Sequence, residues 1–348
     1  MSQNLKKITV NTKKSYDILI GKGILDNVGE KVLTITKPCK VCVVTDSNVD
    51  RLYSKKAIDS LEKNGFTVFK FVFRAGEKSK NIKTYGKILC FLAQNEFTRT
   101  DLLLALGGGV VGDITGFVAS TFIRGINYVQ VPTTLLSCID SSVGGKTAID
   151  LKEGKNLVGA FYQPKLVLID TATLSSLPNE IFTDGLGEAV KYAFLDGQIF
   201  NLLSKDEFDI SELVLLCVDY KRRIVEEDEF EKGNRKLLNL GHTLAHGIEK
   251  LSKYKLPHGK AVSQGLKLIL DASKKQGYIG DDTYQVMLGL LNKVIGEIKV
   301  DYPIEKIVQF ALSDKKRVGD QIVLVMINGI GKNTFNKVDI DNLLEYLG

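Results

Sequence analysis

Three histidines occur in a chain of 348 residues, at positions 242, 246 and 258, and a spread that narrow points to shared work. His242 and His246 stand four apart, so on a helix both imidazoles leave the same face. His258 follows Pro257 and precedes Gly259, a break that can return it beside the first pair. Two imidazoles and one carboxylate, with a fourth position left open, make a catalytic zinc arrangement. The residues between the first two are Thr243, Leu244 and Ala245, so the H-E-x-x-H pattern of zinc proteases is missing. Glu188 is the best available acid. It sits in Gly185-Leu186-Gly187-Glu188-Ala189-Val190-Lys191-Tyr192, where Glu188 and Lys191 share a helical face. Spacing alone leaves two readings open: histidines of an ordinary helical surface or core, or a divalent ion such as zinc held by two of them with Glu188.

A second chemistry is written in glycine. The apolar run 102–106 leads straight into Gly107-Gly108-Gly109-Val110-Val111-Gly112-Asp113. The spacing of Gly107, Gly109 and Gly112 is G-x-G-x-x-G after a strand and before a helix, where backbone N–H groups can bind a pyrophosphate. A plain structural turn satisfies the same residues. This turn follows a late strand, so a standard dinucleotide fold is the wrong template, although Asp46 stands where a ribose-binding acid could sit. Further on, Ser142-Val143-Gly144-Gly145-Lys146-Thr147 imitates the end of a P-loop, but its first glycine would fall on Asp140, and no nucleotide triphosphatase follows. What remains is Lys146 on a glycine turn, with Asp140, Lys155 and Asn156 close in sequence. Such a lysine is often merely solvated; several cations near such turns suit an anionic ligand.

The elements that must position these groups change character along the chain. Apolar β-rich runs at 41–45, 67–73, 102–106, 128–131 and 166–169 alternate with periodic segments at 54–64 and 80–95, which predicts a parallel sheet with helices on both faces. From about residue 174, three- and four-residue spacing dominates through 181–194, 213–225, 237–251, 261–275 and 282–294, with one strand-like run at 321–327. The expected fold is an α/β N-terminal domain with a Rossmann-like parallel sheet, over residues 1–172, and a mostly α-helical C-terminal domain over 173–348. Apolar residues are 44% and charged residues 25%, an ordinary globular mixture, and the net charge of +6 is too mild and too evenly spread for nucleic acid while suiting a small anionic substrate. No apolar run is long enough to span a membrane, and the N-terminus lacks a signal core, so the expected compartment is the cytoplasm. Five scattered cysteines fit reduced thiols, and Cys39 with Cys42 opens a buried strand rather than a zinc or redox site.

Taken together, these motifs resemble the 3-dehydroquinate synthases of the sugar phosphate cyclase family over nearly the whole chain. The likeness is carried by Gly76-Glu77-Lys78-Ser79-Lys80, the 107–113 loop, Gln130-Val131-Pro132-Thr133-Thr134-Leu135-Leu136 and segment 140–149. In the second half it is carried by 185–192, Leu238-Asn239-Leu240-Gly241-His242-Thr243, His258-Gly259-Lys260-Ala261-Val262 and Asp314-Lys315-Lys316. Members convert 3-deoxy-D-arabino-heptulosonate 7-phosphate to 3-dehydroquinate and phosphate in the shikimate route, using NAD and a divalent metal, usually zinc, with cobalt an alternative. The resemblance implies that Glu188, His242 and His258 hold the metal. It implies that Lys146, Asn156, Lys191, Lys221, Arg235, Asn239, His246 and the Lys315/Lys316 pair surround the substrate with Asp140, and that Arg124 joins them across a homodimer interface. It further implies dinucleotide contacts from Gly76, Glu77, Lys80, Gly109, Val110, Val111, Gly112, Asp113, Thr133, Thr134, Lys146, Lys155 and Thr173, with Asp46. Leu240, Gly187, Lys260 and Asn234 stand where phenylalanine, alanine, glutamate and leucine are common, and none of these departures removes a proposed ligand or charge. Competing expectations are a metal- and NAD-dependent polyol dehydrogenase of the glycerol dehydrogenase group, another sugar phosphate cyclase, and a non-catalytic NAD-binding sensor. The crowd of cations, which a neutral polyol does not require, weighs against the dehydrogenase.

Overall fold

The computed structural model describes residues 5–312 and 321–348. Two compact units emerge, Met1–Pro178 with Lys221–Glu229, and Asn179–Tyr220 with Phe230–Gly348. Among its described residues the first holds nine strands: β1 (Lys6–Val10), β2 (Tyr16–Gly21), β3 (Lys40–Asp46), β4 (Thr67–Phe73), β5 (Leu102–Gly107), β6 (Asn127–Pro132), β7 (Lys146–Leu151), β8 (Gly154–Phe161) and β9 (Leu166–Asp170). Seven of them form one sheet in the order β1-β2-β9-β6-β5-β3-β4, and every pairing in it except β1 with β2 is parallel.

Strand alternation explains why this sheet is buried on both faces. Val41, Val43, Leu102, Leu104 and Leu106 point to one side, into a core shared with Val28 and Val32 of α1 (Val28–Val32) and Ala57 and Leu61 of α2 (Lys55–Lys63). Cys42, Val44, Leu103 and Ala105 point to the other, where α3 (Ile82–Gln94) and α4 (Gly109–Thr121) contribute Ile88, Leu92, Val111, Ile114 and Val118. The five expected strands are present within a residue or two. The β1–β2 hairpin and the β7–β8 ribbon were not among the expected strands; in β1 and β8, polar and exposed residues break the apolar run that marked the others. The ribbon matters for function: Lys146 opens β7 just after Gly144 and Gly145, whose φ of 93° and 67° make the turn that only glycine adopts without strain.

The second unit is helical: α5 (Asn179–Leu195), α6 (Gly197–Leu203), most of α7 (Ile210–Glu227), α8 (His242–Leu251), α9 (His258–Lys275), α10 (Asp281–Ile295) and α11 (Ile304–Leu312), with an antiparallel pair β10 (Gln321–Gly329) and β11 (Lys332–Asp339). The periodic stretch 237–251, expected as one helix, is two pieces. A 3₁₀ turn over Asn234–Asn239 gives way at Gly241, whose φ of 75° is left-handed, so α8 begins at His242.

Two glycine crossings bring backbones into contact here. A Cβ on Gly259 would lie 1.7 Å from the Asp184 carbonyl oxygen, and one on Gly187 would lie 2.3 Å from that of Gly259, so α5 and the start of α9 touch main chain to main chain. A Cβ on Gly265 would lie 2.2 Å from the Gly241 oxygen, which seats α9 equally close to the start of α8. Among the described residues no helix is long and apolar enough to cross a membrane. A Gly259→Ala chain is expected to lose about 1–3 kcal/mol or more of stability, since neither carbonyl can retreat without parting the helices; urea unfolding of the metal-free protein measures it.

Candidate functional site

Both crossings converge on Glu188. Its side chain has no solvent exposure, and its Oε1 lies 3.1 Å from Nε2 of His242 and 3.1 Å from Nε2 of His258. One residue comes from the middle of α5 and the histidines from the first positions of α8 and α9, the ends that the glycine contacts fix. Pro257 presets the entry to α9, and the Asp184 carboxylate accepts a hydrogen bond from the Lys260 N–H at 3.1 Å, capping that helix from α5. Lys191, one turn beyond Glu188 and 1% exposed as a side chain, places its Nζ 2.5 Å from Glu188 Oε2.

The three ligand atoms of Glu188, His242 and His258 lie within 4.8 Å of one another. A tetrahedral ion at about 2.0–2.2 Å from each donor sets ligand atoms roughly 3.3–3.5 Å apart, close to the 3.1 Å between Glu188 Oε1 and each imidazole nitrogen. Both rings turn Nε2 inward and occupy Nδ1 elsewhere. His242 Nδ1 meets the Leu240 carbonyl at 3.1 Å, and His258 Nδ1 meets Glu249 Oε1 at 3.4 Å. That arrangement leaves the inward nitrogens to act as metal ligands. Two nitrogens and an oxygen suit zinc or cobalt better than a hard ion.

Electrostatics agree with a site suited to a cation. Burial alone would raise the Glu188 pKa, but the Lys191 charge above all, with the two histidines as close partners, carries it well below the carboxylate range. Burial pulls His242 down to about 4 against the opposing attraction of Glu188, so this ring is neutral near pH 7. For His258, burial works against the proton, but hydrogen bonds to Glu188 and Glu249 outweigh it and push the pKa up to about 10. A proton on His258 thus serves where a divalent ion would compete for the same atoms.

His246 stands one turn along α8, half-buried, with its ring 5.9 Å from that of His242 and nearly perpendicular to it. Nearby in the same unit, Asn239 donates to Glu231 Oε1 at 2.8 Å, and Arg235 is 1% exposed. Lys315 and Lys316 lie outside the described residues.

The remaining candidates belong to the first unit. The glycine turn links β5 to α4, and a Cβ on Gly107 would lie 2.5 Å from Val111, which fixes glycine there. Gly108, at the N-cap, has no side chain to satisfy the first N–H groups of α4, leaving donors for an anion. Beside it, Thr133 is 2% exposed and its Oγ1 has no hydrogen-bond partner. A buried hydroxyl without a partner, next to an uncapped helix of 13 residues, fits a dinucleotide phosphate. Lys80 Nζ bridges Asp113 Oδ2 and Asn156 Oδ1, both at 2.5 Å, which joins a residue implied for the cofactor to one implied for the substrate. Lys155 lies 3.9 Å from Glu77, and Lys221 donates to the Asp140 carboxylate and carbonyl at 2.5 and 2.7 Å. Lys146 is exposed. Asp46 spends its carboxylate capping the short helix after β3, and the Thr173 hydroxyl bonds the Asp170 carbonyl. Arg124 is exposed on a turn where Ile123, Arg124 and Gly125 all have positive φ.

Sequence reading passed over two acids, Glu231 and Glu249. Glu249 was findable, since it lies seven residues after His242 and so returns to the same face of α8. Glu231 carries no such periodic signal.

Known proteins resemble this chain along nearly its whole length. A family model described as 3-dehydroquinate synthase N-terminal matches residues 70–184, and one described as 3-dehydroquinate synthase C-terminal matches 185–317. A 3-dehydroquinate synthase of Clostridium kluyveri is 41% identical over 353 residues, 99% of this chain and 98% of the relative. One of Clostridium acetobutylicum is 41% identical over 344 residues, 96% and 97% of the two chains. Among solved structures, a 2-deoxy-scyllo-inosose synthase complexed with carbaglucose-6-phosphate, NAD+ and Co2+ superposes with a TM-score of 0.87 at 24% identity over 99% of each chain, a likeness of fold. Zinc titrated into the metal-free protein is expected to bind one ion per chain, and His242→Ala to weaken that binding by at least about 100-fold, the loss of one of three ligands; calorimetry with far-UV circular dichroism as a folding control reads both.

Proposed function

Since the chain belongs to the 3-dehydroquinate synthase family, we infer that it converts 3-deoxy-D-arabino-heptulosonate 7-phosphate to 3-dehydroquinate and phosphate, as a phosphorus–oxygen lyase of the shikimate route to chorismate and the aromatic amino acids. The observation that carries the reading is the Glu188–His242–His258 cluster, built on a fully buried carboxylate, in a chain matched by both halves of that family. When bound, a divalent metal supplies a Lewis acid for a substrate hydroxyl, and NAD supplies a hydride acceptor restored within the turnover.

The protein's own groups do the rest. Glu188, His242 and His258 would hold the metal, zinc or cobalt. The uncapped start of α4 with Thr133, Thr134, Gly76, Glu77, Lys80, Asp113 and Lys155 would bind the dinucleotide, and the unpartnered Thr133 hydroxyl supports that role. The substrate carries a carboxylate and a phosphate, and Lys146, Lys191, Lys221 and Arg235 offer cations to both, with Asn156, Asn239 and Asp140 orienting it. Arginine against a planar carboxylate gains two parallel hydrogen bonds, a reason to assign Arg235 with Asn239 to that end. His246 is left to move protons, since neither of its ring nitrogens is needed as a ligand. Ring opening and aldol closure after phosphate loss need orientation more than further catalytic groups, and a site crowded with fixed donors supplies it.

The same reading makes the protein a homodimer with Arg124 of one copy serving the other, and a cytoplasmic enzyme. Support for an interface comes from β8, which exposes Leu157, Val158 and Phe161 at 36–41%. Light scattering is expected to give twice the chain mass.

The decisive assay is phosphate release from the heptulosonate with NAD and zinc. Release should stop with a chelator, and NADH should not accumulate with glycerol; the opposite pattern indicates a polyol dehydrogenase. Lys146→Met should leave stability within about 0.5 kcal/mol, because the side chain is exposed. The same change should lower kcat/KM by about 10²–10³, the cost of removing one preorganised donor.

A further inference from the structure

Glu249 is 3% exposed, close to a proposed metal ligand, and unused by the chemistry so far. We infer that Glu249 is a positioning residue, setting the orientation and basicity of His258 as a metal ligand while touching no ion itself. The inference rests on the metal-centre reading above and adds a residue to it.

Geometry comes first. Glu249 Oε1 lies 3.4 Å from Nδ1 of His258, while Nε2 across the same ring lies 3.1 Å from Glu188. The imidazole is therefore held at both nitrogens, one toward the ion and one away from it. The two metal histidines are not equivalent. His242 has a neutral backbone carbonyl behind it, and His258 has a carboxylate. An anion behind the ring fixes its tautomer and raises the electron density at the inward nitrogen.

Local energetics say the acid is not there for its helix. Glu249 occupies the last turn of α8, where the negative end of the helix dipole disfavours a carboxylate, and burial adds a desolvation cost. A cationic or metal-bound imidazole opposite it offsets both. Charge at the centre points the same way. Glu188 already shares its charge with Lys191 at 2.5 Å, so those two side chains together bring a divalent ion little net neutralisation, and Glu249 brings one negative charge more.

The test uses the full-length protein stripped of metal. Zinc affinity is measured by competition with a chromophoric chelator for wild type, Glu249→Gln, Glu249→Asp and Glu249→Ala, and the visible spectrum of each cobalt-loaded form is recorded. Glutamine keeps the volume and a hydrogen-bond acceptor and removes the charge, so a merely structural role predicts wild-type affinity for it. The expected result is a Kd raised about 10–100-fold in the Gln and Ala chains, a shifted cobalt band, and partial recovery with Asp. Affinity within twofold of wild type in the Gln chain, with an unmoved cobalt band, overturns the inference and leaves the metal centre standing. A wild-type protein that took up no zinc would remove the metal centre itself, and this inference with it.

Discussion

A carboxylate with no exposure to water has to be answered by positive charge, and at Glu188 that charge comes from Lys191 and from His258, with the neutral His242 ring beside them. Lys191 reaches one oxygen at 2.5 Å and two imidazoles reach the other at 3.1 Å. Left alone, a buried carboxylate would cost several kcal/mol. Any packing that parted the helices carrying the answering groups would leave that charge without partners. The cluster is thus a structural requirement of the second unit before it is a binding site. It is also incomplete as chemistry, since His258 retains a proton largely on account of the acids around it. A divalent ion replaces that proton with a stronger version of the same charge, which is why the residues that stabilise the helices are also suited to bind metal.

The first unit meets a different constraint. Its strand β5, an interior strand between β6 and β3, is buried along its whole length, so nothing polar can be carried on its side chains, and chemistry has to wait for the strand's end. There the chain turns through glycine and presents main-chain N–H groups. Side chains then gather around that turn from elsewhere in the unit. Lys80 comes from the loop after β4, Asn156 from the ribbon, and Thr133 from the end of β6, the neighbouring strand. The carboxyl ends of parallel strands are where ligands bind in such sheets, for this reason.

Much of this was legible in the residues because the strongest signals were the ones burial dictates. β3 and β5 read as continuous apolar runs since both their faces are covered, and the glycine turn was marked by residue type alone. The confinement of all histidines to one stretch, with Glu188 as the best available acid, pointed to the cluster, although spacing could not decide between a ligand set and ordinary histidines, and only the family resemblance singled out His242 and His258. What failed to show had no period to read. β8 is exposed along most of its length, so its hairpin gave no alternation. The break at Gly241 was hidden inside a stretch whose spacing continued on both sides, because a single left-handed residue leaves hydrophobic periodicity almost intact. Glu249 was on the expected face of α8, yet its partner arrives from another helix, and no spacing rule joins positions 249 and 258 across Pro257.

Glycine explains why the metal cluster lies in the helical unit. Three side chains whose ligand atoms lie within 4.8 Å of one another must come from backbones that are themselves close. Packed helices normally keep their axes 8–10 Å apart, a distance set by the side chains at the contact. Removing those side chains removes the spacer. At Gly187 and Gly259, and again at Gly241 and Gly265, the spacer is absent, and carbonyl oxygens occupy the space a Cβ would need. Glu188 is the next residue after one of these glycines, His242 follows another, and His258 precedes a third. Each ligand is adjacent in sequence to a point where two backbones touch, so the freedom of its Cα is already spent by the packing. The precision a metal demands of its ligands is therefore inherited from main-chain contact, the least deformable contact a helical protein has, and it is present before any ion arrives.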